Sequence, residues 1–245
     1  MESPTVYLYE ICKEIQKITG KLVSESTICR QLRSHGFTRK KVRMIALQRS
    51  EYLRAMFMAE VLLYRRDQFV WIDESGCDAR SYRRKFGYSL RGTRAECDHL
   101  LVRGKRISSI AALCSDGVLA VTSTTDTINA DIFYDFVRGE LIPNMNPFDG
   151  SSSKSIAVMD NCAVHHVPIV EDLFSDAGIL LIWLPPYSPD LNPIEEAFSS
   201  VKAYLKRHHD ILQLSSVDPV PIIQAAFNQI TKQHCNGWIS HSGYC

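Results

Sequence analysis

The apolar positions at the front of the chain recur at helical steps. Leu8, Ile11, Ile15 and Ile18 fall three and four residues apart, the signature of one helix face, and Gly20 is placed to end that helix. A second short helix is expected from about Ser24 to Ser34, with Ser24 or Ser26 as its N-cap and Gly36 as its terminator. Ile28 and Leu32 would face inward, and Ser26, Thr27, Arg30, Gln31 and Arg33 outward. Such a pair fits a helix-turn-helix, whose polar second helix reaches base edges and phosphates, and it equally fits a two-helix surface element. The basic run Arg39, Lys40, Lys41 and Arg43 directly behind favours the DNA-contacting reading, because it supplies phosphate contacts.

Residues 46–66 hold no Gly or Pro and are rich in helix formers, so they predict a connecting helix. Gln68–Asp73 is then a short apolar strand closed by the acidic pair Asp73-Glu74. Ile107–Cys114 and Val118–Ser123, joined by Ser115-Asp116-Gly117, predict a hairpin. Asn129 is a natural cap for a helix to about Leu141. Ser155–Met159 predicts a strand ending at Asp160, Val167 to Ala177 a helix, and Ile179–Leu184 an apolar strand stopped by Pro185-Pro186. Pro193 opens a last helix to about His209 with a glutamate in its first turn. Strands in antiparallel succession followed by α/β alternation imply a mixed sheet with helices on its faces.

Bulk properties narrow this further. No apolar run approaches the roughly 18–20 residues that span a bilayer, so no membrane role is expected. The eight cysteines form no C-x-x-C pair and no zinc-finger spacing, which reads as reduced, mostly buried thiols. The net charge of +1 hides a basic front and an acidic body: residues 1–50 hold ten Lys/Arg against four Asp/Glu, and residues 73–245 hold fifteen against twenty. A basic front suggests a nucleic-acid contact there.

Three carboxylates stand where elements begin or end: Asp73 and Asp160 after strands, Glu195 at a helix start. Acidic residues are common at such places as caps and solvated loops. Gathered together, however, they would offer the oxygen ligands that magnesium requires, and two such ions can activate an attacking oxygen and stabilise a leaving one at a phosphodiester.

Three segments carry a family resemblance. Val158-Met159-Asp160-Asn161-Cys162-Ala163-Val164-His165 resembles the segment around the second aspartate of mariner-type DDE transposases. Leu184-Pro185-Pro186-Tyr187-Ser188-Pro189-Asp190-Leu191-Asn192-Pro193-Ile194-Glu195 resembles their L-P-P-Y-S-P-x-L-N-P-I-E signature nearly letter for letter, and Val70–Ser75 resembles the first aspartate strand. The 34 residues between Asp160 and Glu195 agree with one large branch of the group. The segment from Arg49-Ser50-Glu51 onward and the tail from Gly237 to Tyr244 are similar to its linker and ending.

The resemblance implies a ribonuclease-H-like catalytic domain over residues 68–245, a linker helix over 46–67 and a partial helix-turn-helix domain over 1–45. It implies that Asp73, Asp160 and Glu195 bind two Mg2+ or Mn2+ ions, with Asn161 and His165 in supporting roles and Glu74 and Glu196 as competing neighbours. Cut-and-paste transposition and integration would follow. Double-stranded DNA at transposon ends and target would be the partner, a homodimer the working form, and a eukaryotic nucleus the location. Full-length relatives carry two helix-turn-helix subdomains where one fits here, so end recognition is expected to be weaker. The alternatives are an inactive DNA-binding relic of the same family and a small metal-dependent nuclease that cuts without joining.

Overall fold

The computed structural model describes residues 5–42, 46–78, 86–96, 106–162, 168–208 and 218–244. The chain divides into two compact units, residues 1–47 and 48–245.

The first unit holds α1 (Leu8–Thr19) and α2 (Glu25–Ser34). Glu10 accepts a hydrogen bond from the Tyr7 N–H at the start of α1, and Gly20 ends it in the left-handed conformation (φ 72°) that favours glycine. Ser24 caps α2 through its hydroxyl, which accepts from the Thr27 N–H. Ile28 is buried and Leu32 half-buried, as their spacing predicts. Ile18 departs from expectation: it is 74% exposed, because two short helices cover little area and its turn lies at the end of α1.

In the second unit, α3 occupies Glu51–Val61, so only part of the 46–66 stretch is helical. Ser50 sets the start: its side chain accepts from the Leu53 N–H, a capping bond that outweighs the helix propensity of the residues before it. Among the described residues five strands follow: β1 (Phe69–Cys77), β2 (Ile107–Cys114), β3 (Gly117–Thr124), β4 (Ile156–Met159) and β5 (Leu180–Trp183). They form one sheet in the order β3-β2-β1-β4-β5. β1, β2 and β3 pair antiparallel, and β4 and β5 join parallel. The expected mixed sheet, ribonuclease-H-like in its order, is therefore present.

Alternation along β1 builds two cores. Phe69 and Trp71 enter a layer with α6 (Ile194–Arg207), α7 (Val220–Phe227) and α8 (Lys232–His241). Val70 and Ile72 enter the opposite layer with α4 (Ala130–Phe136) and α5 (Pro168–Asp176). Asn129 caps α4 through its side chain, but the α-helix stops at Phe136. It widens into a π-turn over Val137–Leu141 and a 3-10 turn over Ile142–Asn144, where Pro143 has no N–H to continue the ladder.

Candidate active site

The sheet register brings the first two carboxylates together. Ile72 pairs with Met159, so Asp73 and Asp160 occupy the next step, where the parallel pairing of β1 and β4 ends; Asp160 follows the end of β4, whereas Asp73 stands mid-way along β1 rather than at its end as the sequence predicts. Asp73 shares the face of Phe69 and Trp71 and turns toward the α6 layer, where it is buried to 9% exposure. There the Glu74 N–H donates to its Oδ1 at 2.7 Å, and Asn192 Nδ2 donates to its Oδ2 at 2.9 Å. Asn192 is itself buried, and its Oδ1 has no hydrogen-bond partner among the described residues. The Cys162 N–H donates to Asp160 Oδ1 at 3.2 Å.

The third carboxylate arrives on the loop after β5. The Leu184 N–H donates to the Met159 carbonyl at 2.8 Å, extending the β4–β5 pairing to the edge of the site. Pro185 and Pro186 end the strand, and Tyr187 turns the chain at φ 55°, a left-handed conformation uncommon for a bulky residue. A 3-10 turn over Pro189–Leu191 leads to Pro193, whose φ of −63° is already helical, and Glu195 falls in the first turn of α6. Tyr244, packed on Trp71 with ring centroids 4.9 Å apart, donates from its hydroxyl to the Leu191 carbonyl at 2.9 Å.

These segments enclose a cleft of about 510 Å³ lined by Asp73, Asp160, Asn161, Cys162, the loop from Leu184 to Pro189, Asn192 and Glu195. Burial first, then the charge of Asp160, pushes the Asp73 carboxyl up to about 8 against the opposing Glu74 N–H. Glu195 is exposed to the cleft, yet loss of water to the surrounding walls raises its carboxyl; Lys202 on α6 opposes the shift and Asp160 adds to it. The two competing neighbours lie elsewhere. Glu74 alternates to the opposite sheet face from Asp73, and Glu196 is engaged by His241 Nδ1.

Concentrated negative charge on one cleft is unfavourable without a cation. Among the described residues, no group of three or more His, Cys, Asp or Glu side chains stands close enough to hold a metal ion as placed. The donor chemistry nevertheless fits a hard divalent ion: three carboxylates, plus a buried amide oxygen on Asn192 that is without a partner.

Other candidates fall as follows. Asn161 is exposed on the cleft wall. His165 and Arg43 lie outside the described residues. Ser26, Arg30, Gln31 and Arg33 are exposed on α2, Thr27 is half-buried and accepts from Arg30 Nη2 at 3.4 Å, and Arg39, Lys40 and Lys41 are exposed behind it. Sequence reasoning did not single out Asn192 or Lys202. Asn192 stood in the signature without an assigned partner, and Lys202 is signalled only by helical spacing, two turns along α6 from Glu195.

A family model described as DDE superfamily endonuclease matches residues 68–218. No curated protein matches the sequence. The fold is similar to that of the Mos1 transposase paired-end complex with left transposon end, at 18% identity and a TM-score of 0.60, covering 99% of this chain and 76% of that one. It is likewise similar to the Mos1 strand transfer complex (17% identity, TM-score 0.60, 99% and 75% covered) and to the mariner Mos1 paired end complex with Mg (17%, 0.59, 99% and 76%). At these identities the likeness is one of fold.

Proposed function

The chain belongs to the DDE superfamily endonuclease family, and on that premise we propose that it is a DNA transposase, a metal-dependent enzyme that cleaves and rejoins phosphodiester bonds. The observation that carries the reading is the cleft on which Asp73, Asp160 and Glu195 open, from within β1, just past the end of β4 and in the first turn of α6. These three residues would hold Mg2+ or Mn2+, two ions in the full reading. When bound, the ions supply activation of the attacking oxygen and stabilisation of the leaving oxygen at the scissile phosphate. Asp73, costly as a bare buried carboxylate, gains a compensating charge in that state. Asn192 keeps its side chain oriented, and Asn161 and His165 support the site.

Double-stranded DNA is the partner, at transposon ends and at the target. Residues 1–45 would act as a partial helix-turn-helix, with Ser26, Thr27, Arg30, Gln31 and Arg33 toward the groove and Arg39, Lys40, Lys41 and Arg43 toward phosphates. Residues 46–67 would be the linker, and residues 68–245 the ribonuclease-H-like catalytic domain. Neighbours of this fold include a paired-end complex and complexes with Mg and with Mn, which support both the DNA and the metal reading. Pairing two ends calls for two copies of the chain, working in the nucleus of a eukaryotic host.

The test is incubation of supercoiled plasmid with purified protein and Mg2+ or Mn2+. The reading expects nicks bearing 3′-hydroxyl and 5′-phosphate ends that DNA ligase reseals, and no nicks with Asp160→Asn. Nicking retained by Asp160→Asn, or none by the folded parent in either metal, would overturn it.

A further inference from the structure

The signature loop is held at three consecutive residues, each by a different partner. Asn192 is bonded to Asp73 within the cleft, and the Leu191 carbonyl to Tyr244 of the adjoining core. Asp190 is held from outside. Arg54 forms a two-pronged bridge to it, Nη1 to Oδ1 at 3.1 Å and Nη2 to Oδ2 at 3.0 Å, and Arg49 Nη1 adds a bond to Oδ1 at 3.3 Å. In the family signature the position of Asp190 is the one left open, so the motif gives it no task.

We propose that Asp190 is a positioning residue for the carboxylate cleft: Arg49 and Arg54, at the start of α3, fix the turn Pro189–Leu191 and thereby the placement of Asn192 and Glu195. This rests on the metal-dependent reading given above. The arginine side chains are only 12% and 13% exposed, so the bridge is not a loose surface pair. Glu51 lies beside the Nε edge of both, at 2.9 Å from Arg49 and 3.5 Å from Arg54, which leaves the forks aimed at Asp190. Burial works against the charge on Asp190, but the Arg54 hydrogen bonds and the two guanidinium charges hold its carboxyl below the ordinary value. The grip has leverage because the loop enters through the left-handed Tyr187 and leaves through the stiff Pro193. With Asp190 released, the turn can swing outward and carry both Asn192 and the start of α6 away from Asp73.

The experiment follows thermal unfolding of the full chain, and its plasmid nicking, against Mn2+ concentration. Removing a partner that orients a metal ligand typically weakens metal affinity by about 10–100-fold, and for this more remote contact we expect roughly tenfold. Asp190→Asn should move the Mn2+ midpoint of both curves up by that factor, and Asp190→Glu should recover most of it. Arg54→Lys, which keeps the charge and loses the fork, should shift the midpoints in the same direction and serves if Asp190→Asn does not fold. A lower metal-free Tm with unchanged Mn2+ midpoints would mean a structural role alone and overturn the proposal. A parent chain that responds normally beside unshifted variants overturns this inference alone, whereas a parent with no Mn2+ response overturns the metal-dependent reading and this inference with it.

Discussion

Replacing Asp73 by asparagine should stabilise the metal-free protein at alkaline pH while destroying its metal response. The Asp73 carboxyl is raised from 3.8 to about 8 in the folded chain, chiefly by burial and by the neighbouring charge of Asp160. For an acid whose folded-state pKa is raised, the sign is destabilising: nothing is lost below about pH 4, and the penalty grows as pH climbs toward 8. At about 1.4 kcal/mol per pH step the full penalty is on the order of 5 kcal/mol, of which water entering the cleft would return about half. The variant keeps its hydrogen bonds. The amide introduced by Asp73→Asn would accept from the Glu74 N–H and donate to Asn192, once that side chain flips to present the Oδ1 that is otherwise without a partner. A net gain of about 2–3 kcal/mol in a domain of this size raises Tm by roughly 5–10 °C. The assay is thermal unfolding in EDTA from pH 4 to 9. The difference between Asp73→Asn and parent should be near zero at pH 4, grow with pH, and be cancelled or reversed for the parent by added Mn2+. A difference that does not vary with pH, or a variant less stable than the parent at pH 8, would mean that the buried Asp73 charge carries no such penalty.

Four further outcomes follow from the same geometry. Glu195→Gln should lower plasmid nicking by at least about 100-fold, the scale of losing a ligand-level contact, whereas Glu74→Gln and Glu196→Gln should stay within about threefold, as measured by initial nicking rates. Tyr244→Phe leaves the buried Leu191 carbonyl without its donor and should cost about 1–3 kcal/mol in urea unfolding. Phe198→Ala, a fully buried ring packed edge-on to Phe227, should cost about 3–5 kcal/mol in the same assay. Neutralising Lys40 should weaken DNA binding alike across sequences and reduce the slope of log K against log salt by about 1.

Much of the sheet was legible because its periodicity is strong. β2 and β3 follow from apolar runs around Ser115-Asp116-Gly117, where Gly117 takes a φ of 147° that other residues rarely adopt. Polar residues misled at the end of β1, which continues through Glu74, Ser75 and Gly76 to Cys77 because β2 offers an unbroken antiparallel ladder out to Ile107. No element was predicted over α7, whose Pro219 and Pro221 sit at the start of the helix, where a missing N–H costs nothing. The start of α3 depended on whether Ser50 would cap, a choice that composition alone does not decide. Asp160 was legible from the end of β4 and Glu195 from the helix start after Pro193, whereas Asp73 lies within β1 and was marked by the motif resemblance rather than by a strand end. Their local partners were not legible: Asn192 meets Asp73 across 119 positions of chain and Arg54 meets Asp190 across 136, and no local pattern encodes such pairings.

If Asp73, Asp160 and Glu195 together hold divalent cations, bound Mn2+ can be counted by electron paramagnetic resonance. The parent chain should bind two ions saturably and Asp160→Asn should lose at least one of them, with the fold intact by circular dichroism. No saturable Mn2+ binding by the parent, or an unchanged count in Asp160→Asn, would contradict that role of the three carboxylates.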